Sequence, residues 1–171
     1  MKSFGFDAIA ATDARVLILG TLPGVRSLQR GEYYAHPRNS FWWIMGKLAG
    51  ASPDLAYEDR IRALEKSGIA LWDVCRAAKR VGSLDAKILT ATVEANDFGS
   101  FLRVHPQIEL ICFNGQPAER IFRRIVLPLP AEIRPLAFQV LDSTSPAHAG
   151  VTREEKLSRW RKCLAPFIEA R

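Results

Sequence analysis

The run Arg15-Val-Leu-Ile-Leu-Gly20 decides the fold class of this chain. Its continuous apolar residues, closed by a glycine, predict a buried strand of the kind found in parallel sheets that are covered on both faces. Similar apolar runs predict three further strands, at residues 69–74, 108–113 and 136–141. Together these runs predict one sheet of about four strands, an ordinary size for a single sheet.

Helical segments alternate with these strands. Apolar residues at helical spacing predict helices over residues 40–49, 56–67, 96–104 and 117–126. The pattern Thr152-Arg-Glu-Glu155 is a capping box, and it opens a last helix whose apolar face is Leu157, Trp160, Leu164 and Phe167. Strands that alternate with helices need crossover connections, and such connections produce a parallel sheet. We therefore predict one α/β domain over residues 1–171, a three-layer α/β/α sandwich with a central four-stranded parallel sheet.

The composition is that of an ordinary folded domain. Hydrophobic residues make up 48% and charged residues 25% of the 171 residues, which argues against global disorder. No apolar run reaches the roughly 18 residues of a membrane span, and residues 1–13 lack the pattern of a secretory signal. The cysteines form no CxxC pair, so we expect reduced buried thiols at Cys75, Cys112 and Cys163, no zinc site and a cytoplasmic protein.

The charge of the chain favours a polyanionic partner such as nucleic acid, since the formal charge is +6 and the pI is near 9.5. Ligands of open parallel sheets bind outside the carboxyl ends of the strands, where residues 21–39, 75–84, 114–118 and 142–152 would meet. The first two of these loops carry Arg26, Arg30, Arg38, Arg76, Lys79 and Arg80 against the single acid Glu32. We interpret this edge as a surface that contacts phosphates; the alternative is a solvated surface with chance charge.

The loop after the first strand holds the most unusual residues. The small residues of Gly20-Thr-Leu-Pro-Gly24 let the backbone approach a ligand, although the chain has neither a P-loop nor a GxGxxG pattern there. The stretch Tyr33-Tyr-Ala-His-Pro-Arg-Asn-Ser-Phe-Trp-Trp43 then combines aromatic rings with an amide, the groups that stack on bases and read their edges. The alternative role for Asn39 is to cap the helix that follows.

The loop after the fourth strand, Ser143-Thr-Ser-Pro-Ala-His148, is compact and stiff. It fits a nucleic-acid groove, while its hydroxyl groups and His148 also suggest a serine hydrolase. The chain has no G-x-S-x-G elbow, and Asp142 precedes the serines without a clear triad geometry. Serine hydrolysis is therefore the weaker interpretation.

These motifs together resemble the uracil-DNA glycosylase superfamily, and within it the hypoxanthine-DNA glycosylase branch. The resemblance is carried, in chain order, by Gly20-Thr-Leu-Pro-Gly24, Tyr34-Ala-His-Pro-Arg-Asn-Ser-Phe-Trp42, Phe113-Asn-Gly115 and Ser143-Thr-Ser-Pro-Ala147. It implies an α/β/α sandwich and an enzyme that flips a deaminated base out of DNA and hydrolyses its N-glycosidic bond, without metal or cofactor.

The resemblance also implies roles for particular residues. Asn39 would be the catalytic residue, Phe41 would stack on the base, and the fourth loop would contact the DNA backbone and fill the gap in the duplex. Leu22 stands where uracil-removing relatives carry Asp or Asn, and it cannot orient water. The His found in the last motif of strict uracil enzymes would fall near Ser143 and is absent, and His148 stands where many members of the branch carry Asn.

The remaining candidates surround the same loops. Backbone N–H groups of Thr21 and Leu22 are expected to bind the base, and Asn114 or Asp73 could contact its edge, with buried structural hydrogen bonding as the alternative for both. The expected DNA-contacting residues are Arg38, Ser143, Ser145, Pro146, Ala147 and His148.

The leading hypothesis is a monofunctional DNA glycosylase that removes hypoxanthine in base excision repair. Two alternatives stay open: the same chemistry on uracil or a mismatch-paired pyrimidine, and a DNA-binding module without catalysis. The expected partner is double-stranded or single-stranded DNA with a damaged base. We expect no membrane partner, no metal and no cofactor, and a monomeric chain.

Overall fold

The computed structural model describes residues 2–168. In chain order its strands are β1 (Lys2–Phe4), β2 (Val16–Gly20), β3 (Ile69–Asp73), β4 (Cys75–Lys79), β5 (Glu94–Ala95), β6 (Leu110–Asn114) and β7 (Ala137–Leu141). Its helices are α1 (Val25–Arg30), α2 (Phe41–Ala49), α3 (Tyr57–Lys66), α4 (Phe98–Val104), α5 (Gln116–Ile125) and α6 (Arg153–Ile168).

A four-stranded sheet in the order β3-β2-β6-β7 forms the centre of the fold, and every neighbouring pair in it is parallel. All residues of β2 and β6 are buried, because both strands lie inside the sheet and both of its faces are covered. The predicted four-stranded parallel sheet is confirmed. Its parallel arrangement brings all four carboxyl ends to one edge.

Two separate cores cover the two faces of the sheet. On one face, Phe41 of α2 and Trp160 of α6 pack with Ile18 and other buried sheet residues. On the other face, Phe98 of α4 and Phe122 of α5 pack with a second set of buried sheet residues. Full burial of each such large apolar side chain is worth about 1.5–3 kcal/mol, so both layers stabilise the sheet. The predicted three-layer α/β/α sandwich is confirmed.

The prediction of one continuous loop over residues 21–39 is wrong, because α1 occupies six residues within it. This helix is too short to show a helical period in the sequence. Gly31 ends it in the left-handed conformation, with φ of +66°, which a residue without a Cβ adopts without strain.

The predicted basic loop over residues 75–84 is also wrong in part. Its first residues belong to β4, which pairs in antiparallel fashion with β1 and with β5 in a small second sheet. Ala77 and Ala78 of β4 are buried, so this segment contributes to the core. The pairing strands span three and two residues, too few for their alternation to be recognised in the sequence.

The capping box at the start of α6 is present as predicted. The Glu155 backbone N–H donates to Thr152 Oγ1 at 3.2 Å, and the Thr152 backbone N–H donates to Glu155 Oε2 at 2.9 Å. No helix within residues 2–168 is both long and apolar enough to cross a membrane. Within the same residues, no cluster of three His, Cys, Asp or Glu side chains could hold a metal ion.

The cysteines are free thiols, and two of them lie closer together than their sequence separation suggests. Cys75 and Cys112 are buried, as expected, but Cys163 on α6 is only partly buried, which corrects the prediction for that residue. The Cys163 and Cys112 sulfurs are 3.6 Å apart, because α6 covers the sheet face to which Cys112 points.

Candidate active site

A cavity of about 240 Å³ lies at the carboxyl edge of the central sheet. Its walls come from residues 20–24 after β2, residues 33–39 before α2, residues 83–85 after β4, and residues 143–147 after β7. Asp73 and Asn114, the last residues of β3 and β6, face the same space. The loops expected to meet at this edge therefore enclose one cavity.

The backbone after β2 presents N–H groups to the cavity. The Gly20 and Thr21 carbonyls accept hydrogen bonds from Val74 and Cys75 at 2.9 and 3.0 Å. In a trans peptide the N–H points opposite to the carbonyl, so the Thr21 and Leu22 N–H groups point away from these partners. Neither N–H donates to another residue within 2–168. This geometry supports the predicted base-binding role of Thr21 and Leu22.

The Arg80 side chain fixes the backbone of residues 22–23 through hydrogen bonds. Its guanidinium is almost fully buried and donates to the carbonyls of Leu22, at 3.1 Å, and of Pro23. It also contacts Asp85, whose carboxylate accepts a 2.6 Å hydrogen bond from Thr21 Oγ1. The expectation that Arg80 contributes to a phosphate-binding surface is wrong, because its guanidinium is buried and already bound by partners inside the protein.

Phe41, which is expected to stack on the base, lies behind another aromatic ring in this structure. Phe41 is fully buried, and the ring of Tyr34 stacks on it with centroids 4.2 Å apart and planes 27° apart. Tyr34, and not Phe41, lines the cavity. A base in this cavity would meet Tyr34, while Phe41 supports the ring of Tyr34 from behind.

Tyr34 adopts an unusual backbone conformation, with φ of +53°. For a bulky residue the left-handed region is strained, and such strain is often found at functional sites. The neighbouring contacts hold it: the Ala35 N–H donates to Ser27 Oγ, and the Tyr33 N–H donates to Tyr57 Oη. A tyrosine pair next to His-Pro was visible in the sequence, but its strained geometry was not.

Asn39 lies at the cavity wall just before α2. Its side-chain oxygen accepts a 2.9 Å hydrogen bond from the backbone N–H of Phe41, the first residue of that helix. The cap-like role foreseen for Asn39 is therefore present. One lone pair of this oxygen and the side-chain amide remain for a ligand, and the amide donates to no residue within 2–168. Asn39 can bind at the cavity and stabilise the start of α2 at once.

Asp73 is the most unusual titratable group at this edge. It is 3% exposed, and its Oδ2 has no hydrogen-bond partner among residues 2–168. Burial and the neighbouring Asp85 raise the pKa of Asp73 to about 8, while Arg80 opposes this shift. Because Gly20 has no side chain, Asp73 and the Tyr34 hydroxyl both reach its Cα; a Cβ there would overlap the carboxyl group and lie 2.9 Å from the hydroxyl.

Asn114 has a structural role that sequence reasoning left open. Its amide donates to Thr144 Oγ1 and its oxygen accepts from the Thr144 backbone N–H, both at 2.9 Å. The Thr144 carbonyl in turn accepts from the backbone N–H of Ser40, at 3.0 Å. Asn114 thus ties the end of β6 to the fourth loop, and through it to the residue next to Asn39, although its side chain also borders the cavity.

The fourth loop is pre-organised by its own hydrogen bonds. Ser143 Oγ accepts from the Ser145 N–H and Ser145 Oγ accepts from the Ala147 N–H, each at 3.2 Å. Ser143, Ser145, Pro146 and Ala147 line the cavity. Buried Lys156 of α6 donates to the His148 carbonyl at 2.8 Å and anchors the far end of the loop.

Two of the predicted DNA-contacting residues lie outside the cavity. His148 is 44% exposed and lies beside Asp142, with 3.6 Å between its Nε2 and the carboxylate. Arg38 is exposed, as is Arg26 at the rim, and neither forms an ion pair within residues 2–168. Arg76, by contrast, pairs with Glu94 at 2.6 Å. Arg26 and Arg38 of the first loop therefore provide unpaired positive charge at this edge.

The parallel sheet, the two covering layers and this cavity define the class of the protein. The family model of the uracil DNA glycosylase superfamily matches residues 6–167. The chain belongs to that superfamily, which confirms the resemblance seen in its motifs.

Individual relatives agree with this assignment. The chain is 41% identical over 115 residues to a hypoxanthine DNA glycosylase of Methanosarcina acetivorans, covering 67% of this chain and 72% of the relative. It is 38% identical over 117 residues to a hypoxanthine DNA glycosylase of Methanosarcina barkeri, covering 68% and 73%. A solution NMR structure from Methanosarcina acetivorans, with a provisional uracil DNA glycosylase assignment, superposes with a TM-score of 0.78 at 33% identity and covers 98% of this chain and 99% of that one.

Proposed function

We propose that this chain is a monofunctional DNA glycosylase that takes a flipped hypoxanthine into its cavity and hydrolyses the glycosidic bond. The observation that carries the proposal is the cavity of about 240 Å³ in which Asn39, Tyr34 and unpaired backbone N–H groups face one space. The names of the two Methanosarcina relatives support the same substrate.

Tyr34 provides the surface on which the base stacks. Its ring is held by the stacked contact with Phe41 and by the constrained backbone around it. A purine has a large π-face, and an aromatic partner in offset stacking adds about 0.5–1.5 kcal/mol beyond the area that it buries. The base therefore enters a preformed slot.

Asn39 acts on the reacting atoms. Cleavage of the glycosidic bond builds positive charge on the sugar and negative charge on the departing base. The Asn39 side chain cannot take a proton at neutral pH, but its oxygen can hold the attacking water and its amide can donate to the base. The Thr21 and Leu22 N–H groups donate hydrogen bonds to the departing base, on which negative charge develops. Donors that are fixed before the reaction are the most effective form of electrostatic stabilisation.

The DNA backbone lies along the rim of the cavity in this proposal. Arg26 and Arg38 contact phosphates, and Ser143, Ser145, Pro146, Ala147 and His148 enter the duplex at the vacated position. Single-stranded DNA offers the same base and phosphates and is a second substrate form. We propose that the protein works as a monomer in the cytoplasm.

The test measures base release from otherwise identical duplexes that contain deoxyinosine or deoxyuridine. Release of hypoxanthine, with an abasic product, is the expected result. Buried Leu22 at the cavity wall offers no side-chain hydrogen bond, so uracil should be released more slowly. Release from neither duplex by folded protein refutes the proposal; salt-sensitive binding without product would identify a DNA-binding module.

Asn39→Ala tests the catalytic assignment. A loss of hypoxanthine release of about 10²-fold or more is expected, since removal of one stabilising donor costs this much in comparable sites. Gln107→Ala is the matched control, because it removes an exposed amide before β6, at the opposite edge of the sheet. Unchanged turnover in Asn39→Ala would leave Asn39 as a helix cap only.

A further inference from the structure

Asp73 lines the cavity, and one oxygen of its carboxyl group has no hydrogen-bond partner among residues 2–168. That oxygen, Oδ2, is inaccessible to solvent. A buried polar atom without a partner costs free energy, and Asp73 lines the cavity, so a small shift of its carboxyl group would let a ligand there supply the partner. The Tyr34 hydroxyl is buried too and, like Asp73, lies close to Gly20.

We propose that Asp73 is the general acid of the reaction: its carboxyl group is protonated, donates to the flipped purine, and gives up its proton as the base departs. This inference rests on the proposed hypoxanthine glycosylase function and assigns one more catalytic residue to it. The donor is placed by the fold, since Asp73 ends β3 beside Gly20 of β2, where the missing side chain leaves room for the carboxyl group.

The groups around Asp73 favour its neutral form. Asp85 faces it from the turn after β4 and opposes a second negative charge, while Arg80 is already bound to Asp85 and to three carbonyls. The other titratable neighbours are Tyr33, Tyr34 and Cys75, and burial together with Asp73 raises the pKa of all three, so each stays neutral at pH 7. The raised pKa of Asp73, about 8, means that most of the carboxyl group is protonated at neutral pH.

The chemistry balances with water as the only co-substrate. The C1′–N9 bond breaks and its electron pair leaves with the base, while the Asp73 proton moves to N7 of the purine. Water adds to C1′, its excess proton passes to solvent, and Asp73 takes a proton back from solvent. A protonated leaving base departs as a neutral molecule, which lowers the barrier.

The same proton gives a reason for purine preference. Hypoxanthine offers two neighbouring acceptors, N7 and O6, on the edge that it shares with guanine. Uracil has no equivalent ring nitrogen. A carboxyl donor that works through N7 therefore accelerates the release of hypoxanthine and not that of uracil.

The experiment measures the rate of the chemical step at saturating enzyme, between pH 6 and pH 10, on a deoxyinosine duplex. For the unaltered protein we expect a plateau and then a fall of about tenfold per pH unit above pH 8, because the acid form is lost. Asp73→Asn keeps the shape but carries no transferable proton; its rate should be at least about 10²-fold below the plateau of the unaltered protein and should not change across this range.

A chemical substitution in the base tests the partner atom. The base of 7-deaza-2′-deoxyinosine lacks N7, so the unaltered protein should release it about 10²-fold more slowly than hypoxanthine. The rate of the Asp73→Asn variant should be nearly the same on this duplex as on the deoxyinosine duplex, because both changes remove the same interaction. Asp54→Asn removes an exposed carboxylate in the α2–α3 connection and is the matched control.

Asp85→Asn separates the two neighbouring acids. Burial, the main cause of the raised pKa of Asp73, is retained, but the additional effect of the Asp85 charge is removed, so the fall in rate should move to lower pH while its slope is retained. Loss of the pH dependence in Asp85→Asn would overturn the assignment to Asp73. So would hypoxanthine release that is flat or rising above pH 8, or a rate for Asp73→Asn close to that of the unaltered protein. No release by the unaltered protein at any pH would overturn the proposed function itself.

Discussion

The replacement Asp73→Asn should make the free energy of unfolding less dependent on pH than it is in the unaltered protein. An Asp side chain has an ordinary pKa of 3.8, and burial with Asp85 nearby raises that of Asp73 to about 8 in the folded state. Between these two values the folded protein holds a proton that the unfolded chain has released. Stability therefore falls as the pH rises, which is the sign expected for a carboxyl group with a raised pKa.

The size of this effect follows from the two pKa values. One proton difference changes the free energy of unfolding by about 1.4 kcal/mol per pH unit. From pH 5 to pH 7 the free energy of unfolding of the unaltered protein should fall by about 3 kcal/mol relative to that of the Asn variant. Asp73 stays mostly protonated in the folded protein over this range, while the same carboxyl group is ionised in the unfolded chain. Other titrating groups are common to both proteins and cancel in the difference.

Urea denaturation of both proteins at pH 5, 6 and 7 measures the difference directly. The free energy of unfolding of the variant, relative to that of the unaltered protein, should increase at each step in pH, with similar m-values in both. A difference that stays constant over the three pH values would show that Asp73 titrates at an ordinary pKa, and the argument for a neutral carboxyl in the folded state would fail.

Three further changes test the surroundings of the cavity. Arg80→Met should lower the free energy of unfolding by about 3–5 kcal/mol in urea titrations, because it leaves buried carbonyls without their donor and Asp85 without its ion pair; exposed Arg76→Met should cost far less. Tyr34→Leu should slow hypoxanthine release about tenfold while the circular dichroism spectrum stays native, since the stacking surface is lost; an unchanged rate would remove Tyr34 from the site. Thr152→Ala should lower stability by about 1 kcal/mol through loss of the capping box.

The fold was largely predictable because its signal is local. Each strand of the central sheet is a short apolar run, and such runs are typical of strands covered on both faces. The small sheet of β1, β4 and β5 was missed since its strands have two to five residues and pair over long sequence distances. Short pairings of this kind leave no pattern that a sequence can show on its own.

The site was predictable only as a region. Chain order and strand ends located the loops, and Asn39 and Asp73 were both selected as site residues. The position of the Tyr34 ring between Phe41 and the cavity could not be foreseen, because it depends on the left-handed backbone conformation of Tyr34. Arg80 was misjudged for a related reason: a basic residue in a basic stretch is buried here by the carbonyls that it binds.

The two roles considered for Asn39, helix cap and catalytic residue, support each other in this structure. The hydrogen bond from the Phe41 N–H fixes the side-chain oxygen and so leaves the amide pointing in one defined direction. The next residue, Ser40, is tied through Thr144 to Asn114 at the end of β6. A loop residue is thereby positioned by a helix start and by a core strand, which is the rigidity that a hydrogen-bonding catalyst without a titratable group requires. In the proposed reaction, capping would be the means by which the Asn39 amide is held in position for the base.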